Sequence, residues 1–366
     1  MKLKKLTALI EHQLPLDWQE SYDNSGLLLG NNDQEIKKVL CALDCTLAVV
    51  QEAINGKFDL IICHHPLIFK PIPNLVTSNY STPLLKLIKA DIALYAAHTN
   101  LDNALGGINS MVSEKLGLSN AKILIPTKNN LSKLVTFVPE SHLEKVKSSL
   151  ANAGAGQIGE YSECSFFHKG TGSFLSGAKA NPFLGEAGKK TKIDEFKLEM
   201  IFANEKIKSI MIALKNSHPY QEPAYDIFNL ANHNHQVGSG IIGELPCPIS
   251  KNEFLAMVKD KLSLEVIKYS STFANTNNIK KVGLVLGAGS FAIKAAQQEQ
   301  AQAFITSEVK HHEFLGAPDN LLLCDIGHYE SESIATQFFK KFLATLPTNL
   351  KIDITKQEKN PTNYFY

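Results

Sequence analysis

The chain has 366 residues, more than one hydrophobic core usually supports, so its length predicts two or three domains. Hydrophobic residues make up 44% of the sequence and charged residues 20%, which is the composition of a globular fold in water. The 37 basic and 36 acidic side chains nearly cancel, which argues against nucleic acid and anionic membranes as partners.

The amino-terminal segment and the cysteines indicate a cytoplasmic protein. The first apolar stretch is interrupted by Glu11, His12 and Asp17 before a signal-like region forms, and no later run is long enough to cross a bilayer. Six cysteines occur without a C-x-x-C pair, and most stand inside apolar runs. This usage is typical of reduced thiols buried in a core, so we expect a cytoplasmic location and no membrane partner.

Residues 37–117 alternate short β-like runs with helical stretches. In chain order the runs are KKVLCALD, LAVVQEAINGK, DLIICHH, TPLLKLIKAD, IALYAAH and GINSMVSEKLG. Strands followed by crossover helices predict an α/β fold with a mainly parallel sheet and flanking helices. In such a sheet, functional side chains gather at the carboxyl ends of the strands.

The pattern changes over residues 126–239. The order there is a strand (LSKLVTFVP), a helix (ESHLEKVKSSLANAG), a Gly-rich hairpin, a helix (NEKIKSIMIALKNS) and a strand (AYDIFNL), which favours a ferredoxin-like α+β unit. Near residue 240 the first pattern resumes. We therefore predict a discontinuous α/β domain, residues 1–125 and 240–366, split by an inserted ferredoxin-like domain, residues 126–239.

Two adjacent histidines, His64 and His65, stand where the apolar run LIIC ends. Neighbouring residues on an extended chain point in opposite directions, so one straight strand would offer one imidazole to each of two neighbouring ions. For an isolated pair, however, the favoured interpretation is two imidazoles bonded to backbone carbonyls at the rim of a sheet. A metal site therefore needs partners from other segments.

Two other strand ends carry candidate partners. Asp102 follows His98 by four residues in a predicted strand-to-loop turn, where a carboxylate binds a divalent cation or caps a helix. His328 and Glu332 are spaced i, i+4, which places both on one face of a helix. Glu332 alone would equally suit the first turn of a helix, where its charge favours the helix dipole.

A further strand end carries Glu308, His311 and His312, which are candidates for supporting a ligand or transferring a proton. Taken together, the strand-end clusters suit a pair of divalent ions bridged by one carboxylate, a type of site that serves hydrolysis. Zinc, iron and manganese all accept this mixture of imidazole and carboxylate. The candidate ligands are His64, His65, Asp102, His328 and Glu332.

The sequence also resembles a known family, the GTP cyclohydrolase 1 type 2 homologues, or Nif-three-like proteins. The matching segments, in order, are SYDNSGLLLG, ICHHPLIF, AAHTNLDNALGGIN, ITSEVKHHEF and DIGHYESE. The resemblance covers essentially the whole chain, including the insert of longer members, and departs from the family at Tyr22, where another aromatic residue is usual. It implies two divalent metals on the five residues above and a toroidal homohexamer whose metal sites face an inner cavity.

The resemblance implies a metal-dependent hydrolase of a small molecule or nucleotide. For a GTP cyclohydrolase the target is C8 of guanine, with ring opening and loss of formate. The candidate catalytic residues for proton transfer are His98, Glu308 and His312. Two alternatives stay open, namely a non-catalytic metal-binding toroidal scaffold or sensor in which the insert regulates or gates, and a metal-dependent phosphoesterase.

A glycine-rich run suggests a different function. The run KKVGLVLGAGSFAIKAA contains Gly287, Gly289 and Ala292 in a G-x-G-x-x-A arrangement, with Glu308 about 20 residues later, as in a dinucleotide-binding fingerprint. Such a fingerprint would make the chain an oxidoreductase. The preceding inserted domain and the better use of Glu308 near the metal cluster argue against it, and tight strand-to-helix packing is the favoured reason for the glycines.

Overall fold

The structure, a computed structural model, describes residues 1–72, 74–78, 81–274 and 278–365. It divides into two compact units. Unit 1 comprises Met1–Pro126 and Gln236–Tyr366, and unit 2 comprises Thr127–His235. The second boundary falls a few residues before the predicted one, at the start of a single long strand, Asn234–Ser250.

The strands in chain order are β1 (Gly26–Leu29), β2 (Lys38–Ala42), β3 (Leu60–Cys63), β4 (Ala93–Ala96), β5 (Ser119–Thr127), β6 (Leu131–Val138), β7 (Phe166–Leu175), β8 (Lys190–Ala203), β9 (Tyr225–Leu230), β10 (Asn234–Ser250), β11 (Lys268–Tyr269), β12 (Asn278–Leu284), β13 (Ala303–Thr306), β14 (Leu322–Asp325) and β15 (Lys351–Ile354). The helices are α1 (Leu3–Gln13), α2 (Leu47–Asn55), α3 (Ser81–Ala90), α4 (Thr99–Asp102), α5 (Ile108–Leu116), α6 (Leu143–Asn152), α7 (Ile207–Ser217), α8 (Lys251–Leu262), α9 (Ile293–Gln298), α10 (His311–Leu315), α11 (His328–Glu332) and α12 (Ala335–Thr345). None of the helices in the described ranges has the length and apolar character needed to cross a lipid bilayer.

Local side chains fix several helix ends. Thr46 caps α2 by accepting a hydrogen bond from the Val49 amide. Ser250 and Glu253 form a reciprocal capping box at the start of α8. These side chains satisfy amide groups that the first turn of a helix leaves without partners, so the helices begin where the sequence supplies an acceptor.

Unit 1 contains two sheets. The first has the order β1-β4-β3-β2-β15, in which β4, β3, β2 and β15 are parallel and β1 is an antiparallel edge. The second has the order β11-β14-β13-β12-β10-β5, with β12, β13 and β14 parallel and β10 and β11 antiparallel to their partners β12 and β14.

The expectation of one mainly parallel sheet is therefore corrected, because the parallel strands are divided between two sheets. Strands β2, β3 and β4 were recognisable from their own apolar runs, but such a run does not identify the strand with which it pairs. The edge strand β15, for example, pairs with β2. A local pattern specifies that a strand forms and does not specify which sheet it joins.

Strand β3 is buried on both faces. Leu60 and Ile62 pack in one apolar cluster, and Ile61 and Cys63 pack in another. Because successive side chains of a strand point to opposite faces, an uninterrupted apolar run is the sequence of a strand covered on both sides. The residues that follow β3 therefore start from a rigid, fully buried element.

Unit 2 has the chain order β6, α6, β7, β8, α7, β9. Its strands form one antiparallel sheet of order β7-β8-β6-β9. Side chains of β6 and β8 form a core with α6 and α7, and the residues of this core include Leu134, Val138, Val146, Leu150, Leu198, Met200, Phe202, Ile210 and Leu214. The helices therefore cover one face of the sheet.

Candidate metal centre

Four imidazoles meet at the carboxyl ends of strands from both sheets of unit 1. His64 and His65 follow β3, His98 follows β4 and precedes α4, and His328 begins α11 after β14. The ring centroid of His64 lies 5.1 Å from those of both His65 and His98, and the rings of His65 and His328 are 5.4 Å apart. The two adjacent imidazoles do not diverge as on a straight strand, because both residues lie in a bend beyond Cys63, the last residue of β3.

In each ring, Nδ1 lies within hydrogen-bond distance of an outer acceptor. The partners are Ala97 O for His64 (2.9 Å), Asp44 Oδ1 for His65 (2.8 Å), Asp23 Oδ1 for His98 (2.8 Å) and Glu308 Oε1 for His328 (3.0 Å). An Nδ1–H that donates to such an acceptor leaves a lone pair on Nε2. Outer acceptors of this kind fix the ring orientation and tautomer of metal-binding histidines.

Glu332 joins the two halves of the cluster. Its Oε2 lies 2.9 Å from His65 Nε2 and 2.8 Å from His328 Nε2, and its Oε1 lies 3.9 Å from His64 Nε2. Asp102 Oδ1 is 3.5 Å from the same nitrogen of His64. The carboxylate therefore presents one oxygen to His65 and His328 and the other to the group formed with His64 and Asp102.

Two buried atoms of the cluster favour a bound cation. His64 Nε2 and Asp102 Oδ1 are buried and have no hydrogen-bond partner among the described residues. The His64 ring presents a lone pair at Nε2 when Nδ1–H donates to Ala97 O, and the oxygen of a charged carboxylate is also an acceptor. Two acceptors that face each other away from water are unfavourable unless a cation or a proton lies between them.

The pKa values of the histidines differ in a consistent way. Burial lowers the pKa of His64 to about 3, although the charge of Glu332 opposes this effect. Burial also acts on His65, but hydrogen bonds with Asp44 and Glu332 outweigh it and raise its pKa to about 10. The hydrogen bond with Glu332 raises the pKa of His328. At neutral pH, His64 is therefore an uncharged base, whereas His65 carries a proton when no metal is bound.

Asp102 and Glu332 bury two carboxyl groups close together. Burial and the neighbouring charge of Glu332 raise the pKa of Asp102 well above its ordinary value. Burial acts on Glu332 as well, but hydrogen bonds from His328 and His65 hold its pKa below the usual range. A divalent cation beside Asp102 would favour its charged form, because the positive charge offsets both burial and repulsion.

Gly287 provides the space that Glu332 occupies. This glycine has φ +68°, and a Cβ there would lie 2.0 Å from Glu332 Oε1. A Cβ at Gly289 would collide with side chains of Val285 and Thr306. The glycines of the G-x-G-x-x-A run therefore allow close packing, and the first of them makes room for the Glu332 carboxylate.

The structure brings together all five residues predicted as ligands. Their ligand atoms fall into groups within 4.8 Å of one another, namely His64, His65 and His98, then His65, His328 and Glu332, then His64, Asp102 and Glu332. Two of the predicted proton-transfer residues reach the cluster, His98 directly and Glu308 through His328. The third does not, because His312 lies exposed on α10 and none of the described hydrogen bonds, ion pairs or ring contacts joins its side chain to the cluster.

Sequence reasoning missed Asp23 and Asp44. Asp44 follows β2 at a strand end, which is the same signal that singled out His64, so it could have been found. Asp23 lies in a loop 75 residues before His98, within the matching segment SYDNSGLLLG, but the resemblance gave it no role. It also accepts a hydrogen bond from the Thr99 amide at 3.0 Å, so it holds both His98 and the start of α4.

A cavity of about 460 Å³ opens beside the cluster. It is lined by His65 and His328 with their outer acceptors Asp44 and Glu308, and its remaining charged side chains are Lys268, Asp325 and Glu330. Lys268 Nζ lies 2.7 Å from Asp325, so the one lysine of the cavity is already paired. The cluster therefore faces a cavity whose protein side chains are predominantly acidic.

The carboxyl-terminal arm after β15 lies against this cavity. Glu358 accepts a hydrogen bond from the amide of Leu43, next to Asp44, at 2.8 Å. Asn360 and Tyr364 both donate to Glu330, which lies on α11 between His328 and Glu332. The arm thus holds two of the segments that carry the cluster.

Comparison with known proteins places this chain in a family. The family model Duf34/NIF3 (NGG1p interacting factor 3) matches residues 1–361. The chain belongs to the Duf34/NIF3 family. Its membership, expected from five sequence segments, is therefore confirmed over nearly the whole chain.

NIF3-family relatives of this chain share both sequence and fold with it. Proteins named GTP cyclohydrolase 1 type 2 homolog from Halalkalibacterium halodurans and Staphylococcus aureus (strain COL) are 37% and 35% identical, over 94% and 100% of this chain and 93% and 100% of their own. A solved Bacillus cereus protein related to NIF3 is 32% identical, with a TM-score of 0.85 over 100% of this chain and 99% of that chain. A solved Staphylococcus aureus protein is 30% identical, with a TM-score of 0.77 over the same shares.

Proposed function

We propose that this NIF3-family chain is a hydrolase that uses two divalent metal ions, with zinc, iron or manganese as the candidates. The observation that carries the proposal is the position of Glu332, whose two oxygens face two separate groups of ligand atoms. The five residues that would hold the ions are His64, His65, Asp102, His328 and Glu332. Bound divalent ions would supply Lewis acidity and lower the pKa of water to near neutrality.

The residues around the cluster support proton transfer. His98 has its Nδ1 fixed by Asp23, so its Nε2 is available as a proton acceptor beside the His64 and His65 rings. Glu308 is half exposed on the cavity side and bonds His328 Nδ1, where it would pass a proton to solvent. We assign proton transfer to His98 and Glu308, and not to His312.

The cavity points to the part of a substrate that the cluster would act on. The chain contains no arginine, so its 37 basic residues are all lysines, and the single lysine of the cavity is paired with Asp325. Polyphosphate groups are usually bound by arginine forks and unpaired lysines. The similarity to proteins named GTP cyclohydrolase 1 type 2 homolog supports guanine as the target, and we propose that recognition rests on the ring and not on the triphosphate.

The test is turnover by the full chain loaded with zinc, iron or manganese. GTP, guanosine and a phosphoester such as bis(p-nitrophenyl) phosphate would be assayed for ring opening, formate release and phosphate ester cleavage. We expect ring opening in at least one metal form, and we expect His65→Ala to lower it about 100-fold or more, because the variant removes a ligand.

His311→Ala is the matched control, since His311 is exposed on α10 and none of the described contacts joins its side chain to the cluster. This variant should keep both metal content and turnover. Ester cleavage without ring opening would favour the phosphoesterase alternative. The absence of hydrolysis of all three substrates in all three metal forms would contradict the proposal.

A second candidate function is a metal-dependent sensor or scaffold without catalysis. The observation in its favour is that unit 2 is a compact unit that contributes none of the predicted ligands. We infer that unit 2 is a ferredoxin-like domain, because its order of strands and helices matches that of a split βαβ unit. Tight metal retention together with a metal-dependent protein partner, and with no hydrolysis, would support this function.

The family resemblance also supports a toroidal homohexamer, and the thiols support a cytoplasmic location. Light scattering on the purified chain should then give six times the 40.3 kDa chain mass. None of the six cysteines forms a disulfide in the described structure, as expected for a reducing compartment. A monomer or dimer at micromolar concentration would contradict the hexamer.

A further inference from the structure

Unit 2 contains a buried carboxylate that its fold does not explain. Glu195 on β8 is only 8% exposed, although acidic side chains are rarely buried unless they are paired. It stands three residues before Leu198, so the alternation of a strand directs it to the sheet face opposite the core shared with α6 and α7. Its Oε1 accepts a hydrogen bond from the Tyr220 hydroxyl at 2.7 Å.

The charge of Glu195 has no cationic partner in the described part of the chain, since no lysine or histidine there forms an ion pair with it. The site is nevertheless shaped for the carboxylate. A Cβ at Gly172 on β7 would lie 2.2 Å from Glu195 Oε2, so only a glycine leaves room for that oxygen. Glu195 Oε2 therefore reaches the cavity without a cationic partner from the described residues, and a positively charged ligand would supply one.

Glu195 lines a cavity of about 690 Å³, a size typical of small-molecule sites. The walls include the aromatic rings of Phe137, Phe174, Phe183 and Tyr220. The charged side chains that line the cavity are Glu195, Glu222 at the rim and Lys179, so the net charge of the lining is negative.

Two of these rings are inclined to one another, since Phe183 and Tyr220 have centroids 6.2 Å apart at an angle of 43°. Parallel rings would form a slot for a flat heterocycle, whereas inclined rings form the walls of a box. A box of aromatic faces with a carboxylate is the arrangement that binds ammonium groups.

We propose that this cavity of unit 2 binds an organic ammonium ion, with Glu195 as its counter-charge and Phe174, Phe183 and Tyr220 as the aromatic walls. The site lies wholly within unit 2 and is independent of the metal centre. The Tyr220 hydroxyl orients the carboxylate, and Gly172 keeps its second oxygen accessible to the cavity.

Calorimetric titration of the full chain with choline and n-butylammonium tests the proposal, with the neutral choline isostere 3,3-dimethylbutan-1-ol as the ligand control. We expect at least one ammonium probe to bind about tenfold more tightly than the isostere, since charge and cation–π contacts are lost in the neutral compound. Glu195→Gln should weaken binding about tenfold or more, whereas Glu222→Gln, at the exposed rim, should change it less than about threefold.

Two further variants keep the test decisive if Glu195→Gln does not fold. Phe183 is 48% exposed, so Phe183→Leu should leave the fold intact and weaken ammonium binding several-fold. Tyr220→Phe keeps the ring and frees Glu195 Oε1, so its affinity should be equal to or greater than that of the parent chain. Three results would each overturn the proposal. They are equal binding of the neutral isostere, unchanged affinity in Phe183→Leu, and no binding of either ammonium probe at 10 mM, a concentration on the order of the weakest useful dissociation constant.

Discussion

At the scale of single residues, the outer hydrogen-bond acceptors set the orientation and basicity of the histidine rings. Each imidazole of the cluster has an outer acceptor at Nδ1, and three of these acceptors are carboxylates. A carboxylate in this position increases the basicity of the ring and prevents it from rotating. Residues that never touch a metal should therefore control its affinity.

Asp44 provides the clearest test of this point. We expect Asp44→Asn to lower metal affinity by about 10- to 100-fold, because an amide gives His65 a weaker, uncharged acceptor. Competition with a chromogenic zinc chelator measures the change. Asp33→Asn, on the exposed surface, is the control and should leave affinity unchanged. Equal affinity of the Asp44 variant and the parent chain would show that the outer contact has no role in binding.

Gly287 tests the bridging position of Glu332. We expect Gly287→Ala to reduce retained metal from two ions per chain to one or none, because the new Cβ would displace Glu332 Oε1. Elemental analysis measures the stoichiometry. The matched control is Gly106→Ala, since Gly106 also has a positive φ, of +89°, but a Cβ there would meet nothing within 4 Å. Full metal content in both variants would contradict a bridging role.

The residues also show how far local sequence reasoning reaches. His328 and Glu332 were recognisable because a helix repeats every 3.6 residues, and the structure places both on α11 with 2.8 Å between their ligand atoms. His64 and Asp102 were recognisable because functional side chains tend to lie at the carboxyl ends of parallel strands. Asp23 was not, because its role depends on a loop that folds back onto a histidine 75 residues away.

At the scale of elements, the end of α7 in unit 2 is sensitive to protons. His218 follows α7, and its Nε2–H donates to Phe137 O on β6 at 2.9 Å while its Nδ1 accepts from the Tyr220 amide at 3.1 Å. Both contacts require the neutral ring, because a protonated Nδ1 has no lone pair for the amide. Burial accordingly lowers the pKa of His218 below its ordinary value of 6.5.

The sign of the pH effect follows from this pKa. The unfolded chain binds a proton at His218 as pH falls through 6.5 and the folded chain does not, so the free energy of unfolding of unit 2 should be constant above that pH and decrease below it. The slope from one such group is at most about 1.4 kcal/mol per pH unit.

Hydrogen exchange of the β6 amides in the full chain tests this effect. It would be measured from about pH 5 to 8, the range in which a histidine titrates. His218→Gln should remove the pH dependence while lowering stability throughout, and His235→Gln, at an exposed position, should leave it in place. A parent chain and His218→Gln variant with the same pH profile would contradict the assignment.

The elements themselves were only partly predictable. The helices around residues 47–55, 108–116 and 251–262 agree with the periodic apolar pattern and with capping side chains at two of them. The division of parallel strands between two sheets was not predictable, since neighbouring strands such as β2 and β15 are separated by about 300 residues of sequence. Pairing over such distances is decided by the packing of the whole unit.

At the scale of the whole molecule, the absence of arginine constrains the substrate. A chain with 37 lysines and no arginine lacks the planar fork that grips phosphate in two places. If the metal centre acts on guanine, we expect kcat/KM for GTP to exceed that for guanosine by less than about tenfold, a difference of about 1.4 kcal/mol. Lys268→Ala should change neither value of kcat/KM by more than about threefold, because the charge of Lys268 is already paired with that of Asp325. A preference for GTP of a hundredfold or more would contradict this charge argument.

The distance along the chain between the two halves of the metal centre has a consequence for biosynthesis. His65 and Glu332 are separated by 267 residues. A ribosome that adds about 5 to 20 residues per second exposes His65 more than about ten seconds before Glu332 emerges. The nascent chain therefore passes through a stage that has His65 and lacks Glu332, so a metal site that needs both residues would be complete only after Glu332 has been added.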